Sequence, residues 1–151
     1  HGWLNFRARA MVTSFAVHAL RLPWQRVQYE LAKFMCDYVP GINTTQVQMQ
    51  AGVTGTNTIR VYSPMKQMAD HDPEAVFVHE NVPELRPFAA ATIAQFQTEA
   101  LGQYPRPIID FKHETAIMKD ALYSRKRSPA GRQAARSVYH KHGSRGRRKH
   151  A

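Results

Sequence analysis

Residues 2–20 read GWLNFRARAMVTSFAVHAL, and this stretch carries the first clear fold signal of the chain. Apolar and small side chains recur along one stripe of it, at Leu4, Ala8, Met11, Phe15 and Ala19. Spacings of three and four residues place such positions on one face of a helix. The stretch therefore predicts a helix over residues 3–20 that turns one face toward a core.

Further helices are expected downstream of this first one. Pro23 suits the first turn of a second helix. The apolar positions of this helix are Trp24, Val27, Leu31 and Phe34. Pro40 and Gly41 are expected to end it. Residues 40–87 are rich in Gly and Pro, and two short stretches there, 59–62 and 75–79, fit either strands or extended connections. Helices are predicted for 89–101, 113–125 and 130–142, with disorder over 143–151.

Size and composition are typical of one globular domain, with 151 residues of which 43% are hydrophobic. Apolar runs fall short of the roughly 20 residues that a membrane helix requires. The chain opens at His1 in mid-pattern, so we expect a piece of a longer protein. Its single cysteine, Cys36, excludes an internal disulfide and a cysteine zinc site. Apolar neighbours predict a buried thiol there, and a cytoplasmic location is expected.

The positive charge is confined to the C-terminal end. The formal net charge is +10, and residues 124–151, the basic tail, hold ten Lys or Arg and no Asp or Glu. Residues 1–123 are therefore formally neutral. A run of this kind binds polyanions through counterion release, largely without regard to sequence. A solvated tail without a dedicated target is the alternative interpretation.

Four segments of the chain form a recognisable series. They are Gly2-Trp3 with Arg7 and Arg9; Trp24 leading to Asp37 and Asn43; Ala51-Gly52 with Gly55, followed by Arg60-Val61-Tyr62-Ser63-Pro64 and Gln67; and Asp72-Pro73, Phe77-Val78, Val82-Pro83-Glu84-Leu85 and Tyr104-Pro105 through Asp110. In their order and spacing they resemble the DNA photolyase and cryptochrome family, and the matching part is the C-terminal half of the family's FAD-binding domain. The basic tail lies outside it.

The resemblance implies an all-α, partial FAD-binding domain with long loops over residues 1–123, followed by the basic tail over 124–151. It also implies that the antenna domain and the loop gripping the flavin diphosphate lie upstream. The chain would then hold FAD only in part. Its expected partners are damaged DNA with pyrimidine dimers, the missing N-terminal half or itself, with no membrane.

The resemblance assigns the flavin side of the site to Trp3, Arg9, Asp37 and Asn43. Arg9 and Asp37 would pair beside the flavin ring, since a buried arginine needs a carboxylate partner. Asn43 matches the position that faces the reactive flavin nitrogen. The alternatives are a surface arginine with a helix-end aspartate, a turn asparagine after Pro40-Gly41, and a core role for Trp3.

Other residues match the family's electron-relay and DNA positions. Trp24 matches the middle tryptophan of the relay, although an apolar helix position explains it equally well. Arg7, Met49 and Gln67 would face DNA. Arg7 and Arg9 diverge by about 200° on a helix, so they cannot share one partner. Arg60 and Lys66 are further candidates for phosphate contact, with solvated loop residues as the alternative.

Several positions depart from the family pattern and indicate a divergent branch. Val47 stands where the relay tryptophan nearest the flavin is expected, and Met49 replaces a tryptophan that packs on the lesion. Phe6 replaces an asparagine that contacts the lesion, and Val39 a second flavin-side aspartate. The first change interrupts the usual photoreduction route, whereas the second and third remake the lesion pocket.

Three functions follow as hypotheses. In the first, the chain belongs to a photolyase-like lyase in which light drives electron transfer from reduced FAD to a pyrimidine dimer. In the second, a cryptochrome-like photoreceptor uses the same scaffold without repair. In the third, the chain is a non-enzymatic DNA-binding fragment. The sequence contains no nucleophile-elbow motif, no phosphate-binding glycine loop and no cluster of metal ligands.

Overall fold

The computed structural model describes residues 2–54, 59–96 and 99–142, and within these ranges the fold is all-α, as predicted. The helices are α1 (Phe6–Ser14), α2 (Trp24–Ala32), α3 (Pro40–Ala51), α4 (Pro64–His71), α5 (Val76–Asn81), α6 (Ala90–Ala94), α7 (Phe111–Arg127) and α8 (Pro129–His142). A π-helical segment, Phe15–Ala19, continues α1, and a 3₁₀ turn, Pro83–Leu85, follows α5.

The first predicted helix forms with a later start and a wider last turn. Asn5 caps α1, since its side-chain oxygen accepts a hydrogen bond from the Ala8 amide at 2.9 Å. The Leu20 amide donates to the Phe15 carbonyl at 3.1 Å, which is the five-residue spacing of a π turn. The segment places His18 fully inside the protein, with 0% of its surface exposed.

The expected role of Pro40 and Gly41 as the end of a helix is wrong. The second helix stops at Ala32, and Pro40 instead opens α3, where a missing amide hydrogen costs nothing. The helix ends at Gly52, whose φ of +73° is the left-handed conformation that glycine adopts readily. Asn43 therefore lies in the first turns of a helix.

The remaining helix boundaries agree better with the positions of capping residues than with residue composition. Residues 59–62 form no strand, and most of 75–79 belongs to α5. The helix predicted for 89–101 is short, since α6 covers only Ala90–Ala94. Asp110 caps α7 earlier than expected by accepting from the His113 amide at 3.0 Å. The expected disorder over 143–151 lies outside the described residues.

Packing centres on α1, which contacts both α2 and α3. The π segment packs on α7, where the rings of Phe15 and Phe111 stack with centroids 5.9 Å apart. A smaller cluster, formed by Ala75, Leu85 and Ile93, holds the middle of the chain. Among the described residues, no helix is long and apolar enough to cross a membrane.

The start of the basic tail is a tight elbow between α7 and α8. The hydroxyl of Ser128 donates to the Arg125 carbonyl at 2.7 Å and accepts from the Gly131 amide at 3.0 Å. A Cβ atom on Gly131 would lie 2.2 Å from the Arg125 carbonyl oxygen. The backbones of the two helices therefore approach so closely that only glycine fits.

Candidate functional site

A cleft of about 340 Å³ opens between the segment before α1 and helices α1, α2 and α3. We call it the α1–α3 cleft. It brings together all four residues predicted to lie on the flavin side, Trp3, Arg9, Asp37 and Asn43. The rest of its lining is mostly apolar, with the polar exceptions Asn5, Thr13, Gln28, Tyr38, Gln46 and Gln50.

Arg9 and Asp37 form an ion pair at the edge of this cleft. One guanidinium nitrogen, Nη2, donates to both carboxylate oxygens of Asp37, at 2.8 and 2.7 Å. Arg9 Nε donates to the Leu4 carbonyl, which fixes the direction of the side chain. Hydrogen bonding from Arg9 holds the pKa of Asp37 below its ordinary value, so the carboxylate is charged at neutral pH. The pairing inferred from the family is therefore present.

Arg7 points elsewhere, as the helical geometry predicts. Its Nη1 lies 2.8 Å from Nε2 of His71 on α4, and its side chain is exposed. It does not line the α1–α3 cleft. Arg7 and Arg9 thus serve two different surfaces of one helix.

Trp3 and Asn43 line the cleft, and their positions exclude a core role for Trp3 and a turn position for Asn43. The side chain of Trp3 is 64% exposed, so the expectation of a buried core anchor is wrong. Trp3 precedes α1, and at that position its side chain can cover a ligand in the cleft but does not pack into the core. Asn43 is half-buried on α3, so the turn-asparagine interpretation is also wrong.

The other predicted site residues lie outside this cleft. Trp24 is half-buried at the first position of α2. Met49 is half-buried on α3, and Gln67 is half-buried on α4, with an amide oxygen that has no hydrogen-bond partner. These positions do not test whether Met49 and Gln67 contact DNA or whether Trp24 relays electrons. These roles stay predictions.

Sequence reasoning missed three glutamines that line the cleft, Gln28, Gln46 and Gln50. Gln46 and Gln50 lie three and seven residues after Asn43, which is the spacing of one helical face. That signal was present in the sequence. Pro40 and Gly41 mask it, because they also fit the end of the preceding helix.

Two family departures also belong to this cleft. Val47 and Phe6 both line it. Val47 is 7% exposed and packs as a core residue, whereas Phe6 is 60% exposed. Apolar side chains therefore occupy positions where the resemblance implies a tryptophan and an asparagine. Of the other two departures, Met49 and Val39, neither lines the cleft, and Val39 is 49% exposed.

A second, larger cleft of about 1170 Å³ lies between α1, the start of α4 and α7. None of the residues predicted to bind flavin, relay electrons or face DNA lines it, although Lys66, a further candidate for phosphate contact, does. Among residues 2–54, 59–96 and 99–142, no group of His, Cys, Asp and Glu is arranged to hold a metal ion. The α1–α3 cleft is therefore the site that the four predicted flavin-side residues share.

Cys36 differs from its expectation, because its thiol is exposed. The helix α2 ends at Ala32, so the apolar run at Phe34, Met35 and Cys36 falls in the connection to α3. A backbone hydrogen bond of 2.8 Å joins its amide to the Gly2 carbonyl. The connection thereby closes over the segment that carries Trp3.

Known proteins resemble this chain in sequence. The chain is 30% identical over 121 residues to a deoxyribodipyrimidine photo-lyase of Vibrio cholerae, covering 77% of this chain and 26% of that protein. It is 29% identical over 144 residues to the chloroplastic/mitochondrial cryptochrome DASH of Solanum lycopersicum, covering 91% and 24%. The chain thus spans about a quarter of the length of these relatives.

A solved structure shows the same fold. The archaeal photolyase from Sulfolobus tokodaii, crystallised with two FAD molecules, matches with a TM-score of 0.76 and 30% sequence identity. The match covers 82% of this chain and 29% of the archaeal chain. The family described as the FAD-binding domain of DNA photolyase matches residues 1–124. The chain therefore belongs to the FAD-binding domain family of DNA photolyases and cryptochromes.

Proposed function

We propose that this chain forms part of the flavin site of a photolyase-like protein that uses light to transfer an electron from reduced FAD to pyrimidine dimers in DNA. One observation carries the proposal. The Arg9–Asp37 pair, Trp3 and Asn43 converge on one cleft within the region that matches the family. In this proposal residues 1–123 form the flavin-binding part, and the basic tail is separate from it.

The residues of the cleft fit a flavin ring. Its lining is mainly apolar, with an aromatic side chain at Trp3 and a few converging polar groups, as ligand sites generally are. Its volume of about 340 Å³ is at the low end of the roughly 300–1,000 Å³ usual for ligand pockets. That size suits a ring system rather than a whole dinucleotide, so the rest of FAD would extend beyond this chain.

FAD, when bound, supplies the light absorption and the electron, and the chain supplies position and electrostatics. Arg9 would place a fixed positive charge beside the ring while Asp37 keeps that guanidinium in place. Asn43 offers an amide that donates or accepts without adding charge. Trp3 would shield one side of the ring from water, and Trp24 would act in electron relay.

The DNA side of the proposal uses other surfaces. Arg7 is exposed and held by His71, which orients a positive charge outside the cleft. Met49 and Gln67 would contact the flipped lesion and its strand. The basic tail would bind phosphates without reading sequence. The single cysteine, exposed and free, fits a reducing cytoplasmic location.

A second function, a cryptochrome-like photoreceptor without repair, is favoured by the cleft itself. Phe6 and Val47 put apolar groups where the family pattern has an asparagine and a relay tryptophan. Electron supply and lesion contact would both differ from those of a repair enzyme. A third function, a DNA-binding fragment without flavin, is favoured by the charge of the basic tail.

One experiment separates the three. The full chain is mixed with FAD, reduced chemically, given DNA with pyrimidine dimers and illuminated with blue light. Light-dependent loss of dimers supports the photolyase-like function. Bound flavin without any loss of dimers supports the photoreceptor. Binding to DNA without bound flavin supports the third function and contradicts the first.

A further inference from the structure

Two side chains of the α1–α3 cleft have hydrogen-bonding groups with no partner. The amide oxygens of Gln46 and Gln50 are shielded from solvent, and neither accepts a hydrogen bond in the described part of the chain. Gln50 as a whole is only 7% exposed. Buried amide groups are nearly always satisfied, so a buried pair without partners on one cleft needs an explanation.

The neighbouring polar groups do not share this feature. Gln28 lines the same cleft, and its amide donates to the Thr44 hydroxyl at 2.7 Å and the Tyr38 hydroxyl at 3.3 Å. Both oxygens of Asp37 accept from Arg9. Among the buried side-chain groups that line the cleft, the missing partners are those of Gln46 and Gln50, one helical turn apart on α3; outside the lining, His18 Nδ1 and the Gln67 amide oxygen also have no partner in the described part of the chain.

The backbone of α3 is fixed at this point. His18 Nε2 lies 2.8 Å from the Gln50 carbonyl, and His18 is fully buried. The helix therefore presents Gln50 at a set depth, while the terminal torsion of a glutamine side chain turns easily. A small rotation brings either amide oxygen to a ligand in the cleft.

An amide oxygen can only accept, so the ligand must donate. An oxidised flavin ring has a single N–H, at N3, and its other polar edge atoms are acceptors. We propose that Gln50, assisted by Gln46, accepts a hydrogen bond from the N3–H of a flavin ring in the α1–α3 cleft. This inference rests on the proposed flavin-binding function. It adds two positions that determine affinity for the ring.

The test compares FAD with its N3-methyl analogue, using flavin fluorescence to measure Kd for the full chain. Gln50→Leu should weaken FAD binding about tenfold, the effect of losing one well-placed hydrogen bond, and Gln46→Leu less. The N3-methyl analogue should bind the unchanged protein about as weakly as FAD binds Gln50→Leu. Its Kd should not rise further when Gln50→Leu is used in place of the unchanged protein. Gln48→Leu, on the same helix but outside the cleft lining, is the matched control.

Gln50→Met keeps the length and flexibility of the side chain but has no strong hydrogen-bond acceptor. It serves as a second variant if Gln50→Leu disturbs folding. Circular dichroism reports whether each variant is folded. Equal Kd values for FAD in the unchanged protein and a folded Gln50 variant overturn this inference and leave flavin binding intact. Equal binding of FAD and its N3-methyl analogue by the unchanged protein overturns it as well. Failure of the unchanged chain to bind FAD contradicts the proposed function itself.

Discussion

The α1–α3 cleft and the basic tail divide the chain into two regions with opposite chemistry. The cleft belongs to a segment with equal numbers of acidic and basic residues, and the charges of the Arg9–Asp37 ion pair at its edge balance each other. The tail contains ten basic residues and no acidic ones. The cleft needs side chains from three helices to form, whereas the tail needs only charge at high density.

This difference separates two kinds of recognition. A shaped cleft with few polar groups selects a ligand by fit and hydrogen bonding. A run of positive charges attracts any polyanion and responds strongly to salt. The two regions should therefore be separable, because a change in one should leave the ligand of the other unaffected.

The largest expected effect comes from removing residues 124–151. Affinity for duplex DNA at low salt should fall by about a hundredfold or more, with a shallower dependence on salt, because most counterion release is lost. FAD binding should not change. Fluorescence anisotropy at several salt concentrations measures this. A truncated chain that keeps its DNA affinity would show that residues 1–123, with Arg7, carry the contact.

The next largest effect should come from breaking the Arg9–Asp37 ion pair. Arg9→Ala or Asp37→Asn should weaken FAD binding about tenfold, because charge-assisted hydrogen bonds fix the cleft edge. The exposed pair Arg26–Glu30 on α2 provides the control, with a nitrogen to oxygen distance of 2.9 Å. Arg26→Ala should leave Kd unchanged. Equal effects of both substitutions would argue against a special role for the cleft pair.

A smaller effect should follow from Gly131→Ala at the elbow of the tail. The added methyl group would lie 2.2 Å from the Arg125 carbonyl, so α8 must move away from α7. Trypsin should cut the elbow faster, whereas DNA affinity should hardly change, because no charge is lost. Gly41→Ala is the control, since nothing lies within 4 Å of its added Cβ. Unchanged digestion would contradict the close approach.

The smallest effect concerns pH and His18. Burial lowers the pKa of His18 below its ordinary 6.5, with Lys119 acting in the same direction and the bond to Gln50 opposing it. The unfolded chain therefore takes up this proton first, and stability is full above about pH 6.5 and falls below it. His18→Gln should flatten the fall in melting temperature between pH 7.5 and 5.5. His113→Gln, at an exposed site, should not.

Sequence patterns predicted the helical class and the residues that share the cleft, because family motifs and helical spacing are local signals. Arg9 and Asp37 came from the resemblance, and the structure pairs them. The start of α3 at Pro40 was missed, since proline and glycine fit both the end of one helix and the opening of another. That error concealed Gln46 and Gln50.

Burial was the property that the sequence predicted least well. Cys36 is expected to lie inside, and a core position is the alternative interpretation of Trp3, but both residues are exposed. Each lies outside a helix, where apolar character no longer reports which side faces the core. The π turn that buries His18 likewise has no local signature, because it depends on packing against α7 and on Gln50.

The most direct test of the central claim is a visible absorption spectrum of the purified chain, recorded with and without added FAD. We expect a bound-flavin band with vibronic structure that needs about tenfold more protein to develop in Arg9→Ala and is unchanged after removal of residues 124–151. A spectrum identical to that of free FAD at saturating protein would contradict flavin binding by this cleft.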